Sequence, residues 1–288
     1  MNFYVCAVRS LLGCEGLVHD LRGRKLHEFR SPAFSKINVP IFLIKHLLGS
    51  ISHEFEACGY LIGEIENRIL DVKCVEMRGN LLADLVTDSK TCLDFLKVAR
   101  ESTPQSLRVP YKPFWFFLKD MNLREEALEV INRNLPIENI QKCIREKAMI
   151  SCIPSAKMIL IGDEVWNERY EKECLTKTDC YFEIHFHSHP FGNPLLPSSC
   201  DISSNGMTET VCIIVQPGPE KTFSVLAYQS SGPAPTIVNY FFPIRRISDS
   251  LQIHIDTPKK VVIERDLDYE QWRSSGKLEQ CYIFITSI

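Results

Sequence analysis

Short strand-like and helix-like runs, interleaved without regular βαβ alternation, restrict this 288-residue chain to an α+β architecture, a mixed α/β sandwich. Helical spacing runs from Pro40 to Phe55, with Ile41, Ile44, Leu48, Ile51 and Phe55 on one stripe. Gly59 to Glu66 and Ile69 to Met77 read as neighbouring strands, and Asp88 to Arg100 as a helix. Residues 103–150 have a different texture: Pro104, Pro110 and Pro113, the aromatic run PFWFF at 113–117, then two helical patterns. The first carries Leu123, Ala127, Leu128 and Ile131, and the second Ile137, Ile140, Ile144 and Ala148, with Pro136 at its start where a missing N–H is harmless. After a helix around Asp163 to Glu173, strands are predicted at Tyr181 to His187, Val211 to Val215, Thr222 to Tyr228 and Ile237 to Ile244. Residues 1–36 read as a β-rich N-terminal extension. Residues 247–288 read as a β-rich C-terminal extension with a short helical patch and a final strand, CYIFITS.

Composition narrows the function. Lys and Arg total 33 against 36 Asp and Glu, so the net charge of −3 supplies no basic field for nucleic acid. The longest apolar stretch, Val39 to Ile51, is interrupted by Lys45 and His46 and is too short to span a bilayer. The opening MNFYVCAVRS has no basic region before its apolar run and no small-residue cleavage site after it, so no signal peptide is expected. The 12 cysteines contain no CxxC pair, and most lie in apolar segments where a free thiol behaves as a small buried hydrophobe. Cys174 and Cys180, followed by His185, match no common zinc spacing. A cytoplasmic protein with no membrane or nucleic-acid partner is the expectation.

One segment carries chemistry: HFHSHPFGNPLLPSSCD, residues 185–201. Residues i and i+2 of a strand share a face, so His187 and His189 present two imidazoles together before Pro190 stops the ladder. Twelve residues after His189, Asp201 offers a carboxylate. Two imidazoles, one carboxylate and a water make an open tetrahedral zinc site, whose bound water becomes a nucleophile near neutral pH. Such a site still needs a general base and a donor for the developing oxyanion.

The pattern H-S-H-P, seven residues, S, two residues, D is met in full by His187, Ser188, His189, Pro190, Ser198 and Asp201. It resembles the signature of the JAMM (MPN+) zinc metallopeptidases, and Glu56, Gly59, Leu61 and Gly63 match that family's upstream E-x-x-G-x-L-x-G block. The resemblance implies a cytidine-deaminase-like core, a curved mixed sheet flanked by helices, over residues 37–246 with a helical insertion at 103–150. It implies one Zn2+ held by His187, His189 and Asp201, with Glu56 as general base at the end of a helix and Ser198 as oxyanion donor. It also implies an amide or isopeptide bond at the C-terminal tail of a ubiquitin-like protein as substrate. The residues themselves support only metal-assisted amide hydrolysis.

Other readings stay open at this stage. Ser198 and Asp201 have the spacing of a helix capping box, a use that can coexist with the catalytic one. His185 shares the ligands' strand face and can pack beside them or hydrogen-bond to one. Glu54 and Glu64 are rival bases, and PFWFF can be core or a contact between insertion and body. Cys200, beside Asp201, has no assigned role. A peptidase trimming a sulfur-carrier precursor and a non-catalytic MPN scaffold are the alternative functions. The insertion offers no matched ligand, so it is expected to govern substrate choice and to be dispensable for metal binding. The oligomeric state is not legible.

Overall fold

The computed structural model describes residues 33–51, 54–103, 106, 118, 123–147, 154–174, 181–190, 192–198, 201–202, 205, 210–231, 237–263 and 283–287. In chain order, the first half runs β1 (Lys36–Pro40), α1 (Ile41–Ser50), β2 (Cys58–Glu66), β3 (Ile69–Asn80), α2 (Leu81–Thr87), α3 (Ser89–Glu101), α4 (Leu123–Arg133) and α5 (Ile137–Lys147). The second half runs β4 (Pro154–Gly162), α6 (Glu164–Cys174), β5 (Phe182–Ser188), β6 (Cys212–Pro217), β7 (Thr222–Ser231), β8 (Ile237–Phe242), β9 (Ile244–Ile247), β10 (Ser250–His254), β11 (Lys259–Ile263) and β12 (Ile283–Ser287). The PFWFF run, residues 1–32, the predicted helical patch beyond 263, and Cys200 lie outside the described residues.

The strands form one mixed sheet in the order β11-β8-β7-β6-β5-β2-β3-β1-β10-β9, with β12 on β7 and β4 on β3. Only β1–β3 and β5–β6 pair in parallel among the described strands. The β2–β3 hairpin turns at Asn67 and Arg68, both with positive φ (51° and 64°), which matches the twist of the strands it joins. Strands from the C-terminal stretch are woven into the same sheet: β10 pairs β1, β11 pairs β8 and β12 pairs β7.

Alternation sorts side chains onto two faces. Leu61, Val75, Ile184, Phe186, Ile213 and Val225 join α1 through Ile41, Leu43, Ile44 and Leu47 in the main core. The opposite face carries Ile62 and Cys74 under Tyr170 of α6, and Ile214, Leu226 and Tyr228 under the loop of Leu195 and Leu196. A separate cluster binds α2, α3, α4 and α5 to each other and to Phe55. Cys58, Cys74, Cys92 and Cys212 are buried thiols outside any disulfide, and burial pushes the Cys92 thiol up to about 12.

Three expectations need correction. The helix from Pro40 ends at Ser50, so Glu56 lies in the irregular segment before β2 and not at a helix end. Its apolar spacing persisted because Ile51 is buried in the sheet core and Phe55 in the helical cluster, two separate hydrophobic environments. The strand predicted to Ile244 is broken at Pro243, which has no N–H to give the ladder, and β9 turns away to pair with β10. Pro154–Gly162 forms a strand where the sequence pattern assigned none; its apolar run does not alternate, and pairing with β3 decides it.

Gly59 allows β2 its place between β3 and β5. A Cβ there would collide with the Glu76 carbonyl oxygen and come within 2.8 Å of Cε1 of Phe186. Gly59→Ala is expected to cost about 1–3 kcal/mol through overpacking, read as a lower urea midpoint at unchanged m-value.

Candidate metal centre

Strand register assembles the site. β2 and β5 run antiparallel with Cys58 opposite His187 and Gly59 opposite Phe186. One step further, Ser188 N donates to the Ala57 carbonyl at 2.8 Å and Ala57 N to the Ser188 side chain, so the ladder ends there, one residue from Glu56. Ile184 and Phe186 face the core under α1, which turns His185 and His187 to the other face. His189 lies just past the strand, but its N–H donates to the Val215 carbonyl at 3.1 Å, so the period of two holds through it.

The loop after Pro190 returns Asp201 to this face. Gln216 donates from Nε2 to the carbonyls of Pro190 (2.9 Å) and Asn193 (2.6 Å), pinning the loop to β6. Ser198 and Asp201 form a reciprocal cap: Ser198 N donates to Asp201 Oδ2 at 2.7 Å and Asp201 N to Ser198 Oγ at 3.2 Å. Beyond them Asn205, buried, donates to the Thr210 carbonyl at 2.7 Å and accepts from Ser230 N.

His187, His189 and Asp201 thus bring one donor atom each within 4.8 Å of the others, the one such cluster of three or more ligating side chains among the described residues. Nε2 of His187 lies 3.5 Å from Asp201 Oδ1, and Nε2 of His189 3.7 Å from Oδ2. The Nδ1 of His189 is 2.8 Å from the Pro194 carbonyl, which requires the proton on Nδ1 and leaves the Nε2 lone pair for an ion. Nε2 of His187 is buried without a hydrogen-bond partner, a costly state that an ion would relieve. The cluster fits a metal.

Electrostatics agree. Burial works to raise the Asp201 carboxyl, but His187 and His189 outweigh it and hold it well below the usual carboxylate range. Burial likewise opposes a charge on His189, yet Asp201, the Pro194 carbonyl and Glu56 together raise its pKa. The Glu56 carboxylate is therefore close enough to bias His189.

The remaining residues sort by position. Glu64 pairs with Arg169 at 3.0 Å, six residues along β2 from Cys58, about 20 Å away at strand rise. It borders a separate cavity of about 640 Å³ with Phe42, Asp71 and Trp166, which includes none of the cluster. Glu54 is exposed and pairs with Arg145 of α5 at 3.7 Å. His185 packs 5.9 Å from the His187 ring and places Nδ1 3.5 Å from Cys212 Sγ, so its polar contact is with a thiol and not with a ligand. Gln216, Asn205 and Asn80 escaped the sequence reading. Only Asn80 carries a signal, as an N-cap residue before the apolar LLADL.

No family model matches the chain, and no curated protein is a significant match to it. Among the described residues, no helix is long and apolar enough to cross a membrane.

A metal ion held by this cluster would compete with the proton for His189, whose raised pKa keeps the imidazole charged in the metal-free site below that value. Apparent metal affinity should therefore rise with pH until that pKa is passed. Asp201→Asn removes the charge that raises it, so affinity should fall and its pH dependence move to lower pH. Chelator competition across pH 6–9 measures both, and a flat wild-type profile would contradict the assignment.

Proposed function

We propose that this chain is a zinc metallopeptidase of the JAMM (MPN+) kind, with a cytidine-deaminase-like core. On this reading it cleaves an amide or isopeptide bond at the C-terminal tail of a ubiquitin-like protein. The observation that carries it is the convergence of His187, His189 and Asp201, with the buried Nε2 of His187 left without a hydrogen bond. Ligands at roughly 2.0–2.1 Å from a tetrahedral zinc stand about 3.4 Å apart. The 3.5 and 3.7 Å separations between the histidine nitrogens and the Asp201 oxygens need to close by only tenths of an ångström.

Zinc held there would polarise the scissile carbonyl and acidify the attacking water. The protein supplies the proton handling. Glu56, whose charge helps raise the His189 pKa, would take a proton from that water and return it to the leaving amine nitrogen. Ser198 Oγ accepts from Asp201 N, which leaves its hydroxyl proton available to the oxyanion. Buried thiols outside any disulfide fit a reducing compartment, and we place the protein in the cytoplasm.

Metal content and turnover, measured on the same preparations with lysine-linked and extended-tail ubiquitin-like substrates, test this reading. Glu56→Gln should keep one zinc per chain and lose roughly 10²–10⁴-fold in rate, because an amide cannot accept the proton. Ser198→Ala keeps the backbone N–H that holds Asp201 Oδ2, so it should retain metal and lose about 10²–10³-fold. A Glu56→Gln protein as active as wild type would overturn the proposal, as would a wild-type chain that binds zinc but cleaves neither substrate class.

A further inference from the structure

The peptide unit joining Glu56 to Ala57 is held on both sides. Its carbonyl oxygen, that of Glu56, accepts from Asn80 Nδ2 at 2.6 Å. Its N–H, that of Ala57, donates to Ser188 Oγ at 2.8 Å. Ser188 belongs to the metal-ligand strand, is fully buried, and sits between the two histidines. Asn80 stands where the sheet passes into the helical layer. It ends β3 and caps α2, its Oδ1 accepting from Leu82 N at 2.9 Å and Ala83 N at 3.2 Å.

One buried amide therefore faces two ways, its oxygen to the helix and its nitrogen to the Glu56 carbonyl. α2 is in turn fixed to the insertion. Gln141 of α5 donates to the Leu85 carbonyl at 2.9 Å, and Leu81, Leu82, Leu85 and Val86 share a buried cluster with Ile140 and Ile144. Phe55, next to Glu56, enters that same cluster. A glutamate side chain reaches only as far as its own Cα lets it, so the plane of this peptide sets where the carboxylate can go.

Resting on the assignment of Glu56 as the base, we propose that Asn80 is a positioning residue for Glu56, through which the helical layer, α4 and α5 included, sets the carboxylate's reach toward the metal cluster. The insertion then acts on the rate of the chemical step as well as on substrate choice. Displacement of a catalytic group by about 1 Å can cost on the order of 10²-fold in rate, so a single bond of this kind has a measurable effect.

Asn80→Ser keeps a capping oxygen for α2 but is too short to reach the Glu56 carbonyl, whereas Asn80→Asp keeps the shape and the cap but puts an acceptor where the donor was. In both, zinc content and KM should stay at wild-type values, while the melting midpoint falls by no more than the loss of one buried hydrogen bond. kcat should fall roughly 10–10²-fold, and the Ala57 amide should exchange with solvent deuterium faster while Leu82 and Ala83 stay protected. Wild-type kcat in both variants, with Glu56→Gln inactive alongside, overturns this proposal alone. A kcat loss accompanied by equal loss of zinc or of α2 protection also overturns it, since the role would then be merely structural. Full activity in Glu56→Gln removes the base assignment itself, and the proposal with it.

Discussion

The register of β2 against β5 is the constraint on which the rest of the molecule depends. Cys58 opposite His187 is one pairing in a ladder that also aligns Gly59 with Phe186, and the bond from Ser188 N to the Ala57 carbonyl extends it to within one residue of Glu56. Because side chains alternate along a strand, a slip by one residue would turn the imidazoles toward the α1 core and Phe186 out of it. The absence of a Cβ at Gly59, hemmed in by Phe186 and the Glu76 carbonyl, guards this register. Two sequence blocks far apart in the chain, Glu56–Gly63 and His187–Asp201, thereby become one local arrangement, since Gly59 and Phe186 meet only in the sheet.

Charge and burial act together on that arrangement. His187 and His189 are each nearly inaccessible, and placing two basic rings and a carboxylate there is costly unless each meets an opposite charge or an ion. Hydrogen bonds from outside the cluster fix its members: Pro194 sets the tautomer of His189, Ser198 holds Asp201, and Gln216 ties the intervening loop to β6. The sheet supplies the histidines and the loop supplies the carboxylate. The helical layer reaches the segment of Glu56 through Phe55, its chain neighbour, and through Asn80, which donates to its carbonyl.

Much of this was legible from the residues. A period of two before Pro190 marked His187 and His189, and the resemblance of H-S-H-P…S-x-x-D to a metallopeptidase signature marked Asp201; the helices of the insertion followed from apolar recurrence at Leu123–Arg133 and Ile137–Lys147. What escaped has a common cause: it depends on contacts distant in sequence. The β4 strand is defined by β3, the break at Pro243 by the partners on either side, and the end of α1 by two cores that happen to share a helical spacing. Asn80 is readable as a helix cap, but nothing in the sequence places its other hydrogen on a carbonyl 24 residues earlier.

The most direct test is X-ray absorption at the zinc edge of the zinc-loaded full chain. The geometry of His187, His189 and Asp201 predicts nitrogen and oxygen scatterers only, at roughly 2.0–2.1 Å, with the multiple scattering of two imidazole rings. A sulfur scatterer at about 2.3 Å would contradict it, moving the ion to the thiols of Cys58 or Cys212 that lie on neighbouring strands.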